Sequence, residues 1–256
     1  MLIIFWTLMG LAVGSFLNVV ADRLPNDESI VSPPSHCGAC GRKLTSLEMI
    51  PVVSFLVLRG RCRTCGASIG VRVLWVELAT GVLFAWAASR ASLSDWRGLL
   101  HLVLVSAYFA VLVAVTVTDL EHGLILDKVI YPAIALALIE ILLTGSQVWL
   151  SRVLGGVVGA GVIALIIWLS SEGMGWGDAK LAGFIGLVTG WPGVGFALFL
   201  AFVVGGLVAG VLLATGRKRR GQTVALGPFL AAGGAVLLLV GTDAALNVFH
   251  LLARLL

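Results

Sequence analysis

Four cysteines stand as two identical spacings, Cys37-Gly-Ala-Cys40 and Cys62-Arg-Thr-Cys65, each followed by glycine and separated by 21 residues. Two tight Cys-x-x-Cys turns can direct four thiolates at one tetrahedral ion, and zinc is the metal that this ligand set suits. Four protein ligands close the coordination shell, so such a site is structural and not catalytic. The segment around them has few apolar residues for a core of its own, and a bound ion would supply folding energy. Two other readings exist for the cysteines, a redox pair or two unrelated turns. His36 is a substitute ligand or a plain surface residue. Arg42, Arg61 and Arg63 would offset part of the charge of a four-thiolate site.

The second group of reactive side chains is acidic. Asp119 stands in VAVTVTDLEHGLILD and Asp178 in GMGWGDAKL, 59 residues apart. Ionisable groups beside membrane spans are costly and are functional suspects by default. Two carboxylates that share one proton offer a base to activate water and an acid to protonate a carbonyl oxygen and the leaving amine, which is aspartic peptidase chemistry. Gly173, Gly175 and Gly177 open backbone conformations and close approach to an extended substrate, and Lys180 stands near enough to act on the charge of Asp178. The plain alternative is that Asp119, Glu121 and Asp127 are water-facing helix ends and that Asp178 is an N-cap. Spacing alone does not choose among Asp119, Glu121 and Asp127. His122 reads as an interfacial histidine or a substrate contact, and Glu77 and Glu140 as hydrogen-bonding groups between helices. There is no Ser-His-Asp or Cys-His pattern, HExxH motif or phosphate loop.

The elements that must position these groups are membrane helices. Of the 256 residues, 59% are hydrophobic and 12% charged, against about 25% charged in soluble domains. Apolar blocks predict eight spans, at 2–20, 73–89, 99–118, 128–144, 152–170, 181–191, 194–214 and 223–241. The glycine-rich sixth is short, tilted or packed inside the bundle. The apolar tail 245–256 extends or follows the eighth. The N-terminal block lacks a basic n-region and a cleavage site, and reads as a retained span. Thirteen of the seventeen lysines and arginines fall in the connections 21–72, 119–128, 172–180 and 215–222. The positive-inside rule makes those connections cytoplasmic and the N-terminus external. The net charge of +4 is thus an orientation signal and excludes no nucleic acid by itself, but loop-confined charge argues against a nucleic-acid partner. The cytoplasm is reducing, which argues against disulfides in 21–72. The expected fold is all-α and polytopic, with 1–20 as the first transmembrane helix, 21–72 as a small cytoplasmic zinc-binding domain and 73–256 as the membrane catalytic domain.

The whole pattern resembles the type IV prepilin peptidases, or leader peptidase/N-methyltransferases. The resemblance runs through GSFLNVVADRLP at 14–25, both cysteine pairs, EMIPVVSFLVLRGRC at 48–62, VELATG at 76–81, TDLEHGLILD at 118–127, GMGWGDAKL at 173–181 and ALGPFLAAGG at 225–234. It implies Asp119 and Asp178 as the catalytic pair, and zinc on Cys37, Cys40, Cys62 and Cys65. It implies an inner-membrane, multi-pass enzyme whose active site faces the cytoplasm and whose partners are type IV prepilin or pseudopilin precursors and membrane lipid. The family commonly also methylates the new N-terminus from S-adenosylmethionine, and the complete cysteine-bearing segment favours that bifunctional form. No Rossmann fingerprint supports the methyl donor independently, and the resemblance names no residues for it. The family usually has proline before the last aspartate of the first motif, where this chain has Leu126. The competing classes are a proton-coupled membrane transporter and a non-catalytic membrane scaffold with a structural zinc site. The transporter reading lacks an inverted repeat and places its acids at one edge, away from the usual midplane.

Overall fold

The computed structural model describes residues 1–145, 148–169, 174–216 and 225–241. Gly173, the run Arg217–Arg220 and the tail 245–256 lie outside the described residues. The described chain contains nine α-helices: α1 Leu2–Arg23, α2 Val53–Val57, α3 Val71–Arg90, α4 Trp96–His122, α5 Asp127–Thr144, α6 Trp149–Leu169, α7 Trp176–Thr189, α8 Gly193–Ala214 and α9 Gly227–Val240. Two short 3-10 turns, Leu24–Asn26 and Ser46–Met49, join them. Among the described residues extended pairing is confined to the isolated bridges His36–Lys43 and Arg61–Ser68. The fold is therefore all-α, as the sequence predicts.

Every helix except α2 overlaps one of the eight expected spans. Five of them (α1 with its following turn, α3, α4, α6 and α8) are long and apolar enough to cross a membrane. The chain is a multi-pass membrane protein. The other three differ for visible reasons. Helix α5 carries Asp127, Lys128 and Glu140, while α7 and α9 have 14 residues each, or about 21 Å at 1.5 Å per residue against a hydrocarbon core of about 30 Å. Large apolar side chains such as Trp168, Leu142 and Leu207 lie bare on the outside, the surface that lipid covers.

The chain forms two compact units, Met1–Val117 and Thr118–Leu256, and the boundary falls within α4. In the first unit α1 and α3 pack closely. Gly10 and Gly14 face Phe84, Thr80 and the backbone of Glu77 so tightly that a Cβ at either would stand under 3.0 Å from its neighbours. A pair of small residues four apart is the usual device for close helix contact in lipid. The indole N–H of Trp6 donates to Ser106 Oγ at 2.8 Å, and Trp86 meets Phe109 edge-on.

In the second unit α7 is the central element. Its residues from Asp178 to Leu187 are buried except Lys180. It lies against α6 where Gly155, Gly156 and Gly159 meet the backbone of Ala182, Gly183 and Gly186. The short sixth span is thus packed inside its unit. Glu140 of α5 is ion-paired with Arg152 of α6, whose Nε also donates to the Leu187 carbonyl at 2.7 Å. Glu140 is thereby accounted for as an interhelical partner.

Candidate active site and metal centre

Asp119 lies in the last turn of α4 and Asp178 in the first turn of α7. Both are nearly buried, at 7% and 9% exposure, and both line one cavity of about 700 Å³ in the second unit. The two carboxyls act on each other electrostatically.

Local sequence explains each placement. Helix α4 ends because Gly123 adopts φ +64°, the left-handed conformation that terminates helices, and its N–H donates to the Asp119 carbonyl at 3.0 Å. Leu124–Leu126 then run to α5. Helix α7 begins at Trp176, and Asp178, its third residue, reaches back to accept from the Gly175 N–H at 3.3 Å. Gly175, and not Asp178, is the N-cap. Helix α9 starts against the site: the Gly227 N–H is directed at the Asp119 carboxyl. Asp119 Oδ2 is buried and has no hydrogen-bond partner among the described residues. A buried carboxylate oxygen left unpaired is costly, and here it faces a cavity large enough for water.

Gly177 serves packing more than conformational freedom. A Cβ at Gly177 would stand 2.8 Å from Ile125 Cβ, so the GWGD turn is seated on the first acidic motif, whereas Gly175 is open to the cavity. Lys180, expected to influence Asp178, is instead paired with Asp127 and lies 4.8 Å from the Tyr131 ring centroid. Glu121 and His122 are exposed, and Asp127 is a half-exposed ion-pair partner. Of the three acids that spacing left open, the structure brings only Asp119 into the cavity of Asp178. Leu126 has φ −73° and ψ 124°, the conformation that proline fixes, so the turn keeps its shape without the ring. Sequence reasoning assigned no role to Leu226 or Phe229, which wall the cavity, nor to Gly227, whose amide faces Asp119. Their signal was the ALGPF segment.

The four cysteine sulfurs lie within 4.8 Å of one another, with Cys37 Sγ to Cys65 Sγ at 3.8 Å. A tetrahedral site with metal–sulfur bonds of about 2.3 Å has sulfur–sulfur edges of about 3.8 Å. The two half-sites are built alike. Gly41 and Gly66 turn back at φ +69° and +71°, donating to the carbonyls of Cys37 and Cys62. Amide N–H groups of Cys65 and Thr64 hold the Cys62 thiol down to about 6, which favours the thiolate a metal needs. Arg42 makes a two-pronged contact with Glu48, at 2.7 and 3.0 Å, and its Nη2 comes 4.0 Å from Cys62 Sγ. Arg42 holds the Glu48 carboxyl at about 2. The cluster can hold a metal ion. His36 takes no place in it.

Two family models match the chain. One, the bacterial peptidase A24 N-terminal domain, covers residues 8–91 and with them all four cysteines. The other, the type IV leader peptidase family, covers residues 106–210 and with them both aspartates. The prepilin leader peptidase/N-methyltransferase of Bacillus subtilis (strain 168) is 32% identical over 91% of this chain and 92% of its own length. Proteins of the same name from Stutzerimonas stutzeri and Aeromonas hydrophila are each 34% identical, over 91% of this chain and 89% of their own. No solved structure matches the chain significantly.

Proposed function

The chain belongs to the type IV leader peptidase family, and from that premise we propose that it is a membrane aspartyl endopeptidase that removes short basic leaders from type IV prepilins or pseudopilins and then N-methylates the new N-terminus. The observation that carries the peptidase reading is the meeting of Asp119 and Asp178 in one cavity, with Asp119 Oδ2 unpartnered. One carboxyl is ionised and takes a proton from water as that water attacks the scissile carbonyl. The other is protonated, gives its proton to the carbonyl oxygen, and the pair then protonates the leaving amine. Gly175, open to the cavity, leaves room for an extended backbone at the mouth.

The site lies on the cytoplasmic face of the inner membrane, where a precursor's basic leader meets its apolar helix. Cys37, Cys40, Cys62 and Cys65 hold a structural zinc ion in the segment 21–72, and residues 73–256 carry the peptidase chemistry. For the second reaction S-adenosylmethionine supplies the methyl: the amine lone pair forms the N–C bond, the C–S pair goes to sulfur, and S-adenosylhomocysteine and a proton leave. The transporter and scaffold alternatives draw no support from the relatives described above, which are named as enzymes.

Single-turnover cleavage of a prepilin in detergent tests the peptidase reading. Asp119→Asn and Asp178→Asn should each lower the rate by about 10⁴-fold, the scale of other acid–base sites. Glu121→Gln and Asp127→Asn should stay within about tenfold of the parent. An active Asp178→Asn protein would end the aspartyl mechanism. A dead Glu121→Gln or Asp127→Asn beside an active Asp119→Asn would move the first acid.

A further inference from the structure

The first unit leaves an apolar surface bare where the cysteine-bearing segment meets α1 and α3. Leu47, Ile50, Val53, Leu56 and Val57 are all exposed, Val57 at 75%. Helix α2 divides into two faces. Ser54, Phe55 and the following Leu58 turn inward onto a cavity beside α1 and α3, while Val53, Leu56 and Val57 turn away from the protein. A contiguous patch of this kind marks a surface that something else covers.

One residue fixes the level at which the patch lies. The Glu77 carboxylate accepts from the Val52 N–H at 2.7 Å and from the Ser15 hydroxyl, so it ties the start of α2 to both α3 and α1. Val52 has φ +62°, an outlier for a β-branched residue, and the Glu77 contact holds that strained turn in place. Helix α3 has 20 residues, about 30 Å, the thickness of the hydrocarbon core. Glu77 lies six residues beyond its first residue, Val71, or about 9 Å along the axis. Arg72, paired with the exposed Asp22, marks the polar edge. Val52 therefore stands deeper than that edge, where acyl chains begin. Backbone at such a depth must be satisfied within the protein. The N–H groups of Val52, Ser54, Leu56, Leu58 and Gly60 all donate to protein oxygens. Three exposed basic residues, Arg59, Arg61 and Arg63, follow directly.

We propose that residues 47–58 form an interfacial element seated in the leaflet that adjoins the cysteine segment, with Val53, Leu56 and Val57 among the acyl chains and Arg59, Arg61 and Arg63 on anionic phospholipid headgroups. Apolar side chains beside basic ones are the pattern of segments that lie in the membrane interface. A second copy of the chain, packed about a twofold axis, would set these arginines against themselves. The basic leader proposed above would meet them with the same sign. Anionic lipid is the occupant whose charge and depth both fit. The cysteine segment is thereby held to the membrane at three places: the end of α1, the start of α3 and this element.

The test uses the full-length protein in nanodiscs of phosphatidylcholine and phosphatidylglycerol in equal amounts. Hydroxyl-radical footprinting needs no variant. Val57 and Val82, the latter in the middle of α3, are the same residue type and similarly exposed, at 75% and 66%. Lipid should shield both, so Val57 should be modified at a rate within about threefold of Val82. A Val57 modified faster than that lies in water and overturns the proposal. Photoactivated p-benzoylphenylalanine in place of Leu56 should form adducts with lipid, and with phosphatidylglycerol at least about threefold more than with phosphatidylcholine. Combining Arg59→Gln, Arg61→Gln and Arg63→Gln should bring that ratio to about one while total lipid adduct is kept. The thermal unfolding midpoint checks that this variant folds, and the parent's footprint and adduct ratio decide the matter without it. Adducts to a second copy, or to an added prepilin, in place of lipid would make the patch a protein-binding surface and overturn the proposal. A ratio near one before the arginines are changed would overturn the headgroup contact.

Discussion

A methyl group at position 227 would stand 2.5 Å from Asp119 Oδ2 and 3.0 Å from its Cγ. Gly227 begins α9 and its amide faces the same carboxyl, so its lack of a side chain sets how near the helix comes to the acid. Gly227→Ala must push α9 or rotate Asp119, and misplacing a reacting group by about 1 Å can cost of order 10²-fold in rate. We expect a loss of that order in prepilin cleavage, with zinc content unchanged. A normal rate would mean that the Gly227 contact does not position Asp119. Leu126 is the opposite case, a position where the family's proline would fit. Its φ of −73° already matches, and Leu126→Pro should leave cleavage intact and raise stability by about 0.4–1 kcal/mol through the unfolded chain. A fall in the unfolding midpoint would show that Leu126 packs in a way its backbone does not reveal. At this scale the sequence showed the residue types but not their company. Asp119, Glu121 and Asp127 are equivalent in one dimension, and only the end of α4 at Gly123 separates the acid facing inward from those facing out.

The helices were legible in place and imprecise at their ends, for one physical reason. Hydropathy reports which residues prefer lipid, whereas a helix is defined by hydrogen bonds that continue through polar residues. Helix α4 therefore runs to His122 although the apolar block stops at Val117, and α7 starts at Trp176 although Asp178 and Lys180 interrupt its apolar run. Both aspartates sit in these undercounted turns, on rigid helix and not in loops. Short α7 was expected to be tilted or interior, and its burial against the α6 glycines decides the point. The cysteine segment was legible for a different reason: its spacing repeats, and each repeat folds into the same turn. That symmetry would also make it dependent on the proposed ion. Without a cation to share, four sulfurs within 4.8 Å cannot all remain thiolates. A strong chelator should remove about one zinc per chain and unfold 21–72, seen as new proteolytic sites there, and Cys37→Ser with Cys62→Ser should reproduce both effects. Full zinc content in that double variant would rule out the site.

For the molecule in its membrane, the remaining question is which end faces which compartment, and charge answers it more firmly than shape. Helix α3 has 20 residues and is apolar enough to cross once, so positions 45 and 94, on either side of it, belong to opposite compartments. The segment 21–72 holds seven lysines and arginines, whereas around the turn between α3 and α4 there are two, Arg90 at the end of α3 and Arg97 at the start of α4. Basic residues resist translocation, and on that ground we propose that 21–72 is cytoplasmic. With α4 crossing back, the proposed orientation would return its far end, with Asp119, to the cytoplasmic side. The same proposed orientation would keep the cysteines in a reducing space, where they would bind a metal instead of pairing as disulfides. A phosphatase that works only outside the cytoplasm should be silent when fused at residue 45 and active at residue 94. The reverse pattern would move Asp119 to the outer face, away from a leader that has not left the cytoplasm, and would expose Cys37, Cys40, Cys62 and Cys65 to oxidation.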